Sequence, residues 1–196
     1  VQPIPGVKIP YGDVDDWPEP ERVDLAGHAD NGASQFVIEN GELVRCNIQS
    51  GTVYIPDSVT KIGNEAFANS AITQVIIPSS VTKIGDWAFA YCSSLESIII
   101  PNSVTNMMEA FGAITLSPAP DFDDVSCPNL NQCILIPNSV TDILSCFRYC
   151  NNLRQSDMYI YSQNITRMTY AFQGCHINNI HIPTSVPKST SNFMYN

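Results

Sequence analysis

Apolar residues in this chain follow two rhythms, a short alternating run and a turn-bound block, and the pair repeats. In Leu95-Glu96-Ser97-Ile98-Ile99-Ile100 the period-2 rule of strands sends Ile98 and Ile100 inward and Ile99 outward. A proline follows, then Ser-Val-Thr, then a block ending in phenylalanine. The segment Ile55-Pro56-Asp57-Ser58-Val59-Thr60-Lys61-Ile62-Gly63 returns as Ile77-Pro78-Ser79-Ser80-Val81-Thr82-Lys83-Ile84-Gly85. It returns again from Ile100 to Thr105 and from Ile136 to Thr141. A degenerate copy from Tyr161 to Thr166 lacks the proline, and a last copy starts at Ile182. Pro56 to Pro78 is 22 positions and Pro78 to Pro101 is 23. A unit that short cannot bury both of its faces, so it must stack on its neighbours as a solenoid.

Each copy carries one phenylalanine: Phe67, Phe89, Phe111, Phe147, Phe172 and Phe193. A small residue precedes most of them, with Cys146 in that slot once. Three positions after the phenylalanine stand Ser70, Cys92, Cys150 or Cys175. Stacked coils turn such recurrences into ladders of like side chains along the solenoid axis. The proline has no amide hydrogen, so it ends the sheet ladder and starts the turn.

The recurrent Ile-Pro-x-Ser-Val-Thr-x-Ile-Gly-x-x-Ala-Phe unit resembles the BspA-like leucine-rich repeats of microbial surface proteins. The resemblance runs from Phe36 to Asn196. It implies a right-handed leucine-rich-repeat solenoid of short parallel β-strands joined by turns and short helical turns. Later copies depart from the unit, because Met107 and Met168 replace the isoleucine and the glycine is lost.

The expected organisation is an acidic, proline-rich segment over residues 1–35 and a solenoid over 36–196. Phe36-Val37-Ile38-Glu39-Asn40-Gly41-Glu42-Leu43-Val44-Arg45 places Asn-Gly between two apolar runs, a strong hairpin signal. This hairpin, spanning 36–46, would cap the N-terminal end. From Pro101 to Pro137 is 36 positions, so one repeat is stretched. Cys127-x-x-Leu130 matches Cys92-x-x-Leu95, which confines the insertion to about 112–126. Its Asp121, Phe122, Asp123 and Asp124 form a candidate contact loop, since insertions in repeats emerge at the surface; a tolerated loop is the plainer alternative.

Charge narrows the function classes. The 196 residues carry a net charge of −10 with nine Lys and Arg in all, scattered along the chain. Phosphate backbones and anionic membranes need clustered basic residues, so neither nucleic acid nor a membrane surface is an expected partner. No apolar run reaches the ~18 residues that span a bilayer, and the opening Val1-Gln2-Pro3-Ile4-Pro5 has no leader pattern.

Candidate chemistry is sparse. Seven cysteines cannot all pair within one chain. Cys92, Cys127, Cys150 and Cys175 share one repeat position and read as core thiols; Cys46 and Cys133 fall outside the slots. His176 follows Cys175, but neighbours in extended chain point opposite ways. His28, His176 and His181 lack metal-ligand spacing, and Asp13, Asp15 and Asp16 lack a calcium-loop pattern. No phosphate loop or hydrolase motif occurs. The expectation is therefore no enzyme, no catalytic residue, no metal and no cofactor.

Binding is the remaining class. The outward strand positions Tyr54, Ile76, Ile99, Leu135 and His181 would line the concave sheet face as an apolar stripe, and such patches mark contact sites. The fifth copy leaves Tyr159 and Ile160 both open for this stripe. Plain β-propensity is the competing explanation. Trp87, beside the Ala-Phe block, reads as a packing residue. The family resemblance implies a non-catalytic adhesion or protein-interaction module, extracellular or on the cell surface, with a host-matrix or cell-surface protein as ligand. A spacer that self-associates through its C-terminal coil at Phe193, or a carbohydrate-binding module, are the rival readings.

Overall fold

The computed structural model describes residues 35–112, 126–130, 134–151, 153, 157–177 and 179–186. The N-terminal segment 1–34, the insertion residues Asp121 to Asp124, Cys133 and Phe193 lie outside them.

The chain opens with the predicted hairpin, β1 (Phe36–Glu39) antiparallel to β2 (Glu42–Cys46). Asn40 and Gly41, at φ 51° and 79°, supply the two left-handed residues that a tight hairpin turn demands. A side chain on Gly41 would also strike the Thr60 hydroxyl at 2.9 Å. From β2 onward every pairing is parallel. β4 (Lys61–Ile62) and β6 (Lys83–Ile84) stack beside β2. Single bridges from Lys83 to Asn106, Asp142 and Arg167 carry that sheet on through the later coils. A second side is formed by β3 (Ser50–Tyr54), β5 (Ala71–Ile76) and β7 (Ser97–Ile99). β8 (Ile134–Ile136), β9 (Asp157–Ile160) and β10 (Asn179–His181) continue it. β7 and β8 are in contact without a shared ladder, at the coil that holds the insertion.

The core is the ladder set. Phe67, Phe89, Phe111, Phe147 and Phe172 stack ring on ring, with centroids 5.0, 5.1, 5.1 and 5.6 Å apart and planes within 13°. All are buried, as are Leu43, Ile62, Ile84, Met107, Ile143 and Met168 in the adjoining column. Met107 and Met168 fill the isoleucine slot because an unbranched thioether adapts to the same cavity. Cys46, which no repeat slot claimed, heads the phenylalanine column: its N–H reaches the Ala66 carbonyl as that of Phe67 reaches Ala88.

Backbone bonds join the coils on every side. The amides of Thr82, Thr105, Thr141 and Thr166 each donate to the threonine carbonyl one coil back, at 2.8–2.9 Å, and their hydroxyls donate to the same oxygens. Ser80, Ser139 and Ser162 do likewise toward Val59, Val104 and Val140. The amides of Val59, Val81, Val104 and Val140 close tight turns onto Pro56, Pro78, Pro101 and Pro137.

The phenylalanine side is built of tight turns, with almost no helix among the described residues. Successive i-to-i+3 turns stand there, for example Gly85–Ala88, Trp87–Ala90 and Phe89–Cys92. The reason is a left-handed residue in each block: Glu65, Trp87, Glu109, Ser145 and Tyr170 have φ of 51–56°. Such a residue interrupts a right-handed helix, and outside Gly and Asn it costs roughly 1–2 kcal/mol. Ser126 mends the ladder where the insertion interrupts it. Its hydroxyl accepts the Tyr91 amide and donates to the Phe111 carbonyl.

Phe89, Phe111 and Phe147 each have a ring on either side, and Phe111 is the middle ring of the described stack. Phe111→Ala is expected to lose about 3–5 kcal/mol in urea unfolding followed by circular dichroism. A loss under about 1 kcal/mol would mean that the ring stack does not hold the coils.

Candidate functional site

Register aligns the predicted stripe in two runs of three, one on each side of the coil that holds the insertion. Tyr54 pairs with Ile76 and Ile76 with Ile99; Leu135 pairs with Tyr159 and Tyr159 with His181. The open choice in the fifth copy falls to Tyr159, because Ile160 is fully buried and aligns with the inward Ile136. Ile99 is 49% exposed. Tyr54, Ile76, Leu135 and His181 are half-buried and Tyr159 is buried, so the stripe is less open than period-2 logic implied. The Tyr159 ring stacks on His181 at 4.4 Å and on Tyr161 at 6.3 Å. Tyr161 stands where the other copies have Pro56, Pro78, Pro101, Pro137 and Pro183. The apolar column is thus bordered by a second column of prolines and one tyrosine. On the other flank Thr52, Gln74 and Ser97 align in register.

The sequence did not reveal the second parallel sheet, whose strands are only two residues long. Its outward column is charged: Glu42, Lys61, Lys83, Asn106, Asp142 and Arg167 align across the coils. Lys61 pairs with Glu42 and Arg167 with Asp142, each at 2.9 Å.

The turn edge on the phenylalanine side holds Trp87. It lies outside the core cluster, half-buried, at a left-handed position. Farther along the same column Tyr170 is 38% exposed. Between the rings of Tyr149 and Tyr170 lies the Arg148 guanidinium, 5.0 and 5.8 Å from the centroids. Its Nε donates to the Gln173 amide oxygen at 2.7 Å. Gly174, φ 73°, is required beneath: a Cβ there would sit 2.4 Å from the Tyr149 ring. Partial burial and the neighbouring Asp86 push the Glu109 carboxyl up, against the pull of Arg148.

The thiols occupy the expected interior. Cys92, Cys127, Cys150 and Cys175 donate to the carbonyls of Phe67, Phe89, Phe111 and Phe147 in the preceding coil, while His176 faces outward. Burial pushes Cys92 and Cys175 up to about 12 and Cys46 up to about 11. Cys146 and Cys150 move up for the same reason. Thiols so buried and so hard to ionise serve the packing; Cys127 departs from the others, held below its ordinary value by its hydrogen bond with Cys150. Among the described residues no group of three His, Cys, Asp or Glu is placed to hold a metal ion, and no helix is long and apolar enough to cross a membrane.

These raised thiols give stability a defined pH dependence. Below the ordinary value of 9.0 the thiols are neutral in both folded and unfolded chain, and their contribution is fully present. Above it the unfolded chain ionises first, so stability falls as pH rises toward about 12. The urea midpoint should drop between about pH 9 and 12, and Cys92→Ala with Cys175→Ala should flatten the drop. An equal slope in the double variant would contradict this.

No curated protein matches the chain. A leucine-rich repeat protein of Bacteroides ovatus is similar in structure, at 26% identity and a TM-score of 0.52, over 76% of this chain and 39% of that one. The chain therefore spans about two-fifths of that relative. The leucine-rich repeat protein of T. pallidum is similar in fold, at 21% identity and a TM-score of 0.52, over 78% of this chain and 82% of that one. The BspA-type leucine-rich repeat region matches residues 37–117 and 122–196 in six copies. With its coils, its ladders and these matches in agreement, the chain belongs to the BspA-type leucine-rich repeat family.

Proposed function

We propose that the chain is a non-catalytic protein-binding module of a bacterial surface or secreted protein, which adheres through the sheet face of Tyr54, Ile76, Ile99, Leu135, Tyr159 and His181. The observation that carries this reading is the contrast between the two parallel sheets. Both are built from the same coils. One, made of two-residue strands and single bridges beyond β2, carries glutamate, lysine, asparagine, aspartate and arginine in its aligned column. The other, with strands of three to six residues, carries tyrosine, isoleucine, leucine and histidine, bordered by prolines. Longer strands favour such residues, but neither strand length nor burial accounts for Ile99, which stays 49% exposed. A need for contact on that side does.

The energetics fit a protein ligand. Burying a side chain of the Ile or Leu class contributes ~1.5–3 kcal/mol, and micromolar affinity needs about 8 kcal/mol net of the ordering cost, so the column must act as a whole. A histidine and tyrosine hydroxyls at one end give the apolar column polar handles. Membership of the BspA-type family, together with the surface role that resemblance implies, supports a host-matrix or neighbouring-cell protein as the ligand.

Changing Ile76, Ile99 and Leu135 together to Asp should abolish binding to a panel of matrix proteins while circular dichroism stays that of the parent. Ile99→Asp alone should weaken it by about tenfold or more. Binding that survives the triple change would remove the sheet face from the account.

A further inference from the structure

One slot of the repeat carries sulfur from coil to coil. Cys92, Cys127, Cys150 and Cys175 follow Ser70 in it. The Ser126 amide donates to the Tyr149 carbonyl at 3.2 Å, which sets Cys127 beside Cys150 in register. Two features mark that pair. In the other coils the residue just before the slot is left-handed, as Asn69, Tyr91, Tyr149 and Gly174 are, but here Cys127 itself takes that conformation, at φ 41°. Its side chain therefore leaves the backbone in a direction of its own, and its sulfur shares a hydrogen bond with that of Cys150. Cys150 in turn has the longest carbonyl bond of the four. It is 3.5 Å from the Phe111 oxygen, against 3.2, 3.0 and 2.8 Å for Cys92, Cys127 and Cys175 to theirs.

Neighbouring coils lie one strand spacing apart, about 4.8 Å, which falls inside the ~4.4–6.8 Å between Cα atoms that a disulfide spans. This is also the coil where the ladders are interrupted. β7 and β8 touch without a shared ladder, and the Ser126 hydroxyl bridges Tyr91 and Phe111 in place of a backbone rung. We propose that Cys127 and Cys150 close a disulfide when the chain meets a small-molecule disulfide oxidant, clamping the coil that follows the insertion to the next one. The Cys127 thiol gives its proton to solvent and attacks one sulfur of the oxidant, forming a mixed disulfide and releasing one thiol. The Cys150 thiol then loses its proton, attacks the Cys127 sulfur and expels the second thiol. Two protein thiols are oxidised and one small disulfide is reduced. Both sulfurs are buried, so the exchange takes place as the chain folds or as this coil opens. Closing the loop between them removes freedom from the unfolded chain, so the clamped form resists unfolding better. The step is separate from the sheet face, so either proposal can fail alone.

The test refolds the full chain from urea in oxidised and reduced glutathione and incubates a second, folded sample in the same mixture. Iodoacetamide then caps free thiols, and mass spectrometry of the unreduced digest maps the links. At least one sample is expected to lose two of the seven thiols and to yield one linked peptide pair holding Cys127 and Cys150. Its urea midpoint should rise, and dithiothreitol should reverse the rise. Cys92→Ala should form the same link, and Cys150→Ala should lose both the link and the gain in midpoint. The link map of the parent decides the matter even where a variant does not fold. Seven free thiols in both samples would overturn the proposal. So would a glutathione adduct on Cys127 without the protein link, a link from either residue to any other cysteine, or a link that leaves the midpoint unchanged or lower.

Discussion

The phenylalanine stack sets the pitch to which the other side chains conform. A coil of 22 or 23 residues has too little interior to bury its apolar residues alone, so stability comes from the faces between coils. Rings 5.0–5.6 Å apart are compatible with parallel strands ~4.8 Å apart, and one translation satisfies both ring contact and backbone hydrogen bond. This shared step is why threonine lies over threonine and thiol over carbonyl. It is also why Cys46 can head the phenylalanine column and Ser126 can mend a broken rung without disturbing the rest.

A fixed step has a consequence for function. Any residue facing outward is repeated as a column, so surface chemistry comes as lines. Three such lines differ sharply here. The column running from β2 through β4, β6 and the bridges beyond them carries charged residues and Asn106, and two opposite pairs of those charges neutralise each other. The longer strands carry an apolar line beside prolines. The turn edge carries aromatic rings at two repeat positions on a strained backbone. The core is indifferent to all three, which frees them to be set by what they meet.

Much of this was legible in the sequence. Repeat period, phenylalanine slot, core thiols and the Asn-Gly hairpin all follow from residue type at fixed spacing, because the solenoid imposes one environment per slot. Other features depended on what periodicity does not encode. The second sheet was missed because Lys61-Ile62 and Lys83-Ile84 are too short to show alternation. That Trp87 stands half-buried at a left-handed turn, outside the core cluster, follows from the backbone and not from its place beside Ala-Phe. The choice of Tyr159 over Ile160 required the register with Leu135. How far Ile76 and Leu135 are shielded also depends on stacked partners such as Ile99 and Tyr159, which no single repeat reveals.

Amide hydrogen exchange, resolved by residue, tests the claim that the coils are joined equally on the strand and turn sides. The amides of Phe67, Phe89, Phe111 and Phe147 bond to the next coil, and those of Thr82, Thr105, Thr141 and Thr166 bond to the previous one. The account predicts that both sets exchange only through global opening, with a common free energy. Rapid exchange at the phenylalanine amides beside slow exchange at the threonines would contradict it, because the turn side would then be a loose wrapping around a two-sided sheet.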